Sequence, residues 1–159
     1  MAISNHIRSG CCAALLVLAV AAPAGASTAT SASESALVQA VNAARAAHGL
    51  RPLRLDRSLT RAARSCSSTL MRRNALSHDT IAARVRSSGA RGPVFGENLA
   101  WGTGSLASAR EIVRSWLASP GHRAVLLRPG FSRIGVGAVV GTFSGHRGAT
   151  VVTADFEGV

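Results

Sequence analysis

Three side chains in this sequence are of the right types to do chemistry together: His78, Glu97 and His122. Each sits in a turn-like setting, within S-H-D, G-E-N and P-G-H. Two imidazoles and a carboxylate can hold a divalent metal such as zinc and leave a position open for water. The same groups can act as acid and base without an ion. Spacing alone does not bring them together. On spacing alone, a local structural hydrogen bond for each is the better reading. Ser77 and Ser119 adjoin the two histidines. A serine nucleophile has little support, because no G-x-S-x-G elbow is present and Ser119 is placed to cap a helix.

The elements that must position these groups follow from the pattern of the chain. Residues 1–26 carry an early basic residue, Arg8, then the apolar run "CCAALLVLAVAAPA", then "AGA". This is the pattern of a cleaved secretory signal. The run is too short for a stable membrane anchor. Cys11 and Cys12 leave with it, so only Cys66 remains and no internal disulfide can form. Residues 27–33 read as a flexible tail and 34–159 as one domain. The formal charge is +11, carried without a single lysine; removing Arg8 leaves 17 arginines against seven acids. An exported cation of this kind is drawn to anionic wall polymers or lipid head groups. Nucleic acid is a poor fit, since the chain has no tyrosine, few aromatics and no recognisable nucleic-acid module.

Ser31 and Glu34 have capping-box spacing and begin a helix that runs to about His48. Asp56 caps a second helix to about Asn74. Its apolar face carries Leu59, Ala62, Ala63, Cys66 and Leu70, and Arg57, Arg61, Arg64 and Arg72 lie opposite, toward solvent. Asp79 caps a short third helix through Val85, and Ser105 a fourth through Trp116. Pro120 opens a fifth, with Ser119 as its cap. "VFGENLAWG" reads as an extended piece. "FSRIGVGAVV" and "ATVVTADFE" read as two strands of a hairpin joined by "GTFSGHRG". Gly135 and Gly137 share one face of the first strand, where a helix can approach closely. The order of elements indicates an α+β sandwich.

The ordered set N-x-x-R, H-G-x-x-P-L, S-H-D, G-E-N, S-P-G-H-R and I-G-V-G, from about Leu37 to Phe156, resembles the bacterial branch of the CAP superfamily. This is the superfamily of cysteine-rich secretory proteins, antigen-5 allergens and group-one pathogenesis-related proteins. The resemblance implies a three-layer α-β-α sandwich with a small, mostly antiparallel sheet. It also implies a cleft of two His and two Glu, often able to bind a divalent metal. His78, Glu97 and His122 match three of these, with the histidines as metal ligands and Glu97 as the candidate catalytic group. Ser119 stands nearest the position of the second Glu, which leaves Glu97 as the cleft's only carboxylate.

The remaining polar and aromatic candidates read as structural. Asn42 and Arg45 tie the first helix to neighbouring backbone, Asn98 braces the extended segment, and Trp101 and Trp116 form core or cleft wall. Cys66 reads as a buried thiol. The expected protein is a secreted monomer of the extracellular space or cell wall, with no transmembrane anchor once the signal is gone. Its cleft and basic surface would hold an anionic cell-wall polymer, lipid or peptide. A metal-assisted hydrolase with Glu97 as base, and a surface-acting stress or host factor with an inactive cleft, are the competing readings.

Overall fold

The computed structural model describes residues 31–78 and 81–158. The signal segment and the expected Asp79 cap lie outside the described residues. Helix α1 (Ala32–Ala47) starts at Ser31, and the capping box forms in both directions. The Ser31 Oγ accepts from the Glu34 N–H, and the Ser31 N–H donates to Glu34 Oε2. A two-residue strand, β1 (Arg54–Leu55), follows. Asp56 then caps helix α2 (Arg57–Arg73) by accepting from the N–H groups of Ser58 and Leu59. Asn74 ends α2 in the left-handed conformation.

Helix α3 (Ile81–Ser87) leads to strand β2 (Val94–Gly102). The next helix starts later than the sequence suggested. Gly104–Ala107 forms a 3-10 turn that absorbs Ser105, and Ser108 caps α4 (Ala109–Ala118). Helix α5 (Pro120–Leu126) follows at once. Strands β3 (Phe131–Phe143) and β4 (His146–Gly158) make the hairpin. They extend well into the segment read as a linker, because Ser144 and Gly145 both take positive φ, as a two-residue turn requires.

The sheet order is β1-β3-β4-β2, with β1 parallel to β3 and the other pairs antiparallel. Helices cover both faces, giving the α-β-α sandwich. On one face Leu37, Val41, Ile112, Trp116 and Leu126 pack against Ile134, Val136, Val152, Ala154 and Phe156. Arg45 is fully buried there, without a carboxylate. Its guanidinium donates to the carbonyls of Arg51, Leu126, Arg128 and Phe131, tying α1 to the α5–β3 connection. Asn42 exchanges two hydrogen bonds with the backbone of Leu53.

On the other face α2 lies against Gly135 and Gly137. A Cβ on Gly135 would come within 2.1 Å of the Leu59 carbonyl carbon, and one on Gly137 within 2.3 Å of the Arg64 nitrogen. The Ser67 hydroxyl, buried beneath α2, is 2.9 Å from both the Gly137 carbonyl oxygen and the Thr153 hydroxyl. One arginine expected in solvent is not free. Arg64 forks onto Glu34 at 2.8 and 2.6 Å, joining α2 to the start of α1. The Glu34 carboxylate is almost fully buried and needs that partner.

Candidate functional site

Glu97 sits in the middle of β2, an edge strand of the sheet, with its side chain on the α2 and α3 side. Its antiparallel partner is Asp155 of β4, so two carboxylates stand side by side on one face. Directly opposed like charges destabilise a strand pair. Arg84 of α3 resolves this. Its Nη1 donates to Asp155 Oδ2 at 2.6 Å, and its Nη2 to Asp155 Oδ1 at 3.0 Å. The same Nη2 also donates to Glu97 Oε2. The Cys66 thiol lies 3.7 Å from that oxygen.

The other oxygen of Glu97, Oε1, is 2.8 Å from Nδ1 of His78. His78 follows α2, beyond the left-handed turn at Asn74, and its side chain is 60% exposed. His122 comes to the same region from α5. Its Nδ1 pairs with the Ser119 Oγ at 3.0 Å. Asn98, on the other face of β2 from Glu97, holds α5 there by donating to the His122 carbonyl at 3.0 Å. Burial, and then the charge of nearby His78, lower the His122 pKa. His122 is therefore a neutral imidazole at pH 7.

Ser119 occupies the cap position of α5, but its side chain makes no cap hydrogen bond. It braces His122 instead. Glu97 is not the only carboxylate at this place, because Asp155 lies beside it, fully buried. Burial pushes Asp155 up to about 6, opposed by the Arg84 hydrogen bonds and charge and helped by the Glu97 charge. Arg84 is raised: burial works against its charge, and its Asp155 contacts more than offset this. The Cys66 thiol is pushed up to about 11, chiefly by burial, so it is an un-ionised thiol at neutral pH.

Trp116 is buried core, its Nε1 donating to the Leu99 carbonyl at 3.0 Å. Trp101 lies elsewhere, against Phe143 and His146, and helps line a cavity of about 370 Å³ with Leu106, Ile112 and Arg114. His78, Glu97 and His122 do not line that cavity.

The sequence reading missed Arg84 and Asp155. Asp155 left a trace. It is an acid inside the apolar strand "VVTADFE", and a buried acid requires a partner. Nothing marked Arg84 among its neighbours.

The model of the cysteine-rich secretory protein (CAP) family matches residues 38–156. The chain belongs to this family. An uncharacterized protein of Bacillus subtilis, YkwD, is 34% identical over 108 residues, which is 65% of this chain and 41% of that protein. The chain thus spans less than half the length of this relative. An extracellular protein containing an SCP domain from Bacillus anthracis shares the fold, with a TM-score of 0.68 and 24% identity over 80% of this chain and 40% of that one. An outer surface protein of Borrelia burgdorferi does too, with a TM-score of 0.66 and 20% identity over 77% of this chain and 89% of that one.

The family fold raises the question of a metal. Among the described residues, no three His, Cys, Asp or Glu side chains converge in a way that could hold an ion. Both oxygens of Glu97 are already engaged, which leaves two imidazoles as the donor set. The residues present do not fit a three-ligand metal centre of the kind a hydrolytic ion needs.

Proposed function

We propose that this CAP protein is a binding module acting outside the cell as a monomer. Its His78–Glu97–His122 cleft and basic surface hold an anionic cell-envelope component: a wall polymer, lipid or peptide. The observation that carries this reading is the state of Glu97. One oxygen faces His78, and the other is held by Arg84. A carboxylate so engaged orients an imidazole; it is not free to take a proton from an attacking water. The hydrolase reading needs that freedom.

The charge distribution adds support. Every described acidic residue has an arginine within ion-pair distance. With 18 arginines against seven acids, the chain keeps a large net positive charge after these pairings. No described helix is long and apolar enough to cross a membrane. Two structural relatives are an extracellular and an outer-surface protein.

The test is co-sedimentation of residues 27–159 with isolated cell-wall sacculi and, separately, with vesicles of anionic phospholipid. The His78→Ala/His122→Ala protein should lose about tenfold or more in affinity for whichever binds, the worth of two or so polar contacts. Full retention by the double variant would move binding to the arginine surface alone. Chelator-sensitive hydrolysis of an envelope substrate, abolished by His78→Ala, would overturn the binding reading.

A further inference from the structure

Glu97 has two oxygens and no freedom, and the restraint comes from outside the three motif residues. Arg84 is the main donor to Oε2; the Cys66 thiol, at 3.7 Å, is a weak second. Arg84 is itself fixed. Its fork closes on both oxygens of Asp155, a fully buried residue in the middle of the sheet. Its Nε is buried with no partner. That orientation is thus dictated by the two carboxylates and not by the satisfaction of its own donors. The guanidinium cannot swing away from Glu97 without releasing Asp155.

The consequence falls on His78. A carboxylate oxygen held at Nδ1 accepts a hydrogen there, and the partner of one ring nitrogen sets which nitrogen carries the proton. A neutral His78 then carries its hydrogen on Nδ1 and leaves a bare lone pair on Nε2, in a side chain that is 60% exposed.

We propose that Arg84, anchored by Asp155, is the positioning residue of the cleft: it holds Glu97 so that neutral His78 stays in the Nδ1–H form with Nε2 free to accept a hydrogen bond from a ligand. This deepens the binding reading, because it requires a ligand that brings a donor, such as a hydroxyl, amide or ammonium group, to Nε2. It predicts a property of the unliganded protein. Its test therefore stands or falls apart from whether any envelope component binds.

The experiment is long-range 15N–1H correlation of the imidazole rings in residues 27–159 at about pH 8.5, where an ordinary imidazole is neutral. The probe is the protein alone. In the parent, His78 should show the Nδ1–H pattern. In Arg84→Gln, Glu97 loses its charged donor and the ratio of the two forms should move toward Nε2–H. The change there should be about tenfold or more, the worth of one charge-assisted hydrogen bond. In Asp155→Asn the guanidinium loses its anchor but keeps Glu97, so the shift should be in the same direction and smaller. His122, braced by Ser119, should keep its signals, which separates repositioning of Glu97 from general loosening of the cleft.

Arg84→Lys is the conservative variant. It keeps the charge but cannot span both carboxylates as a fork, so it should restore the parent pattern only in part. A parent His78 in the Nε2–H form overturns the proposal. So does a folded Arg84→Gln protein with an unchanged His78. If Arg84→Gln does not fold, Asp155→Asn and Arg84→Lys decide: an unchanged His78 in both overturns it.

Discussion

Gly135→Ala is expected to destabilise the domain by about 3 kcal/mol, at the upper end for overpacking. The added methyl would meet the Leu59 carbonyl carbon at 2.1 Å and the Thr60 nitrogen at 2.2 Å. These are backbone atoms of α2, so no side chain can rotate away. Either the helix lifts from the sheet or the strand bends, and both disturb the Ser67–Gly137–Thr153 contact beneath. Lifting α2 also moves Cys66 and the segment that carries His78, so the effect reaches the cleft. Gly121→Ala is the control. It lies in α5 with nothing within 4 Å of its Cβ position. It should leave the stability unchanged or raise it by roughly 0.5–1 kcal/mol, as Ala for Gly does in a helix. Urea denaturation of the three proteins side by side measures both. A Gly135→Ala midpoint equal to the parent's would mean that α2 does not sit on this glycine pair.

The same glycines show which parts of the fold were legible in the sequence. Alternation along "IGVGAV" put Ile134 and Val136 on one face and Gly135 and Gly137 on the other, and the helix lies on the glycine face. Local signals of this range worked well. The Ser31–Glu34 box, the Asp56 cap and the Asn74 stop all stand where spacing placed them. The start of α4 was placed three residues early because Ser105 and Ser108 are equally good caps. The choice was made by the 3-10 turn, where the Leu106–Ala107 backbone packs against Gly102. Glu34–Arg64 was unreadable for another reason. Its partners are 30 residues apart, and helix periodicity assigns a face without naming what lies across from it.

The site divides in the same way. Motifs named His78, Glu97 and His122, and the fold brings His78 against Glu97 with His122 nearby. Arg84 and Asp155 are 71 residues apart and meet only because β2 and β4 pair in the register Glu97 to Asp155. A shift of one residue would turn Asp155 to the opposite face. No local pattern encodes that register. It follows from long-range packing, which requires Val152, Ala154 and Phe156 of β4 to face the core while β2 pairs alongside.

That buried cluster has two carboxylates and one guanidinium, and the count makes its members unequal. Arg84→Met should cost about 3–5 kcal/mol at pH 8, as breaking a buried ion pair does, because it leaves Asp155 without a partner beside the carboxylate of Glu97. Glu97→Gln should cost only about 1 kcal/mol, since it leaves a balanced Arg84–Asp155 pair and an amide that still accepts a hydrogen bond. The pH dependence separates this explanation from simple loss of packing. Asp155 is already raised to about 6 in the folded protein. A carboxyl raised on folding contributes stability below its unfolded value of roughly 4, and that contribution is lost as pH rises through the folded value. Removing Arg84 raises Asp155 further, so the deficit of Arg84→Met should be smaller at about pH 5 and widen toward pH 8. Glu97→Gln removes the neighbouring negative charge that helps raise Asp155, so its deficit should shrink or stay level over the same window. Equilibrium unfolding of the parent and both variants at the two pH values reads this directly. Equal costs for the two substitutions, or an Arg84→Met deficit that does not change with pH, would show that Arg84 holds α3 by packing and that charge balance does not govern the cluster.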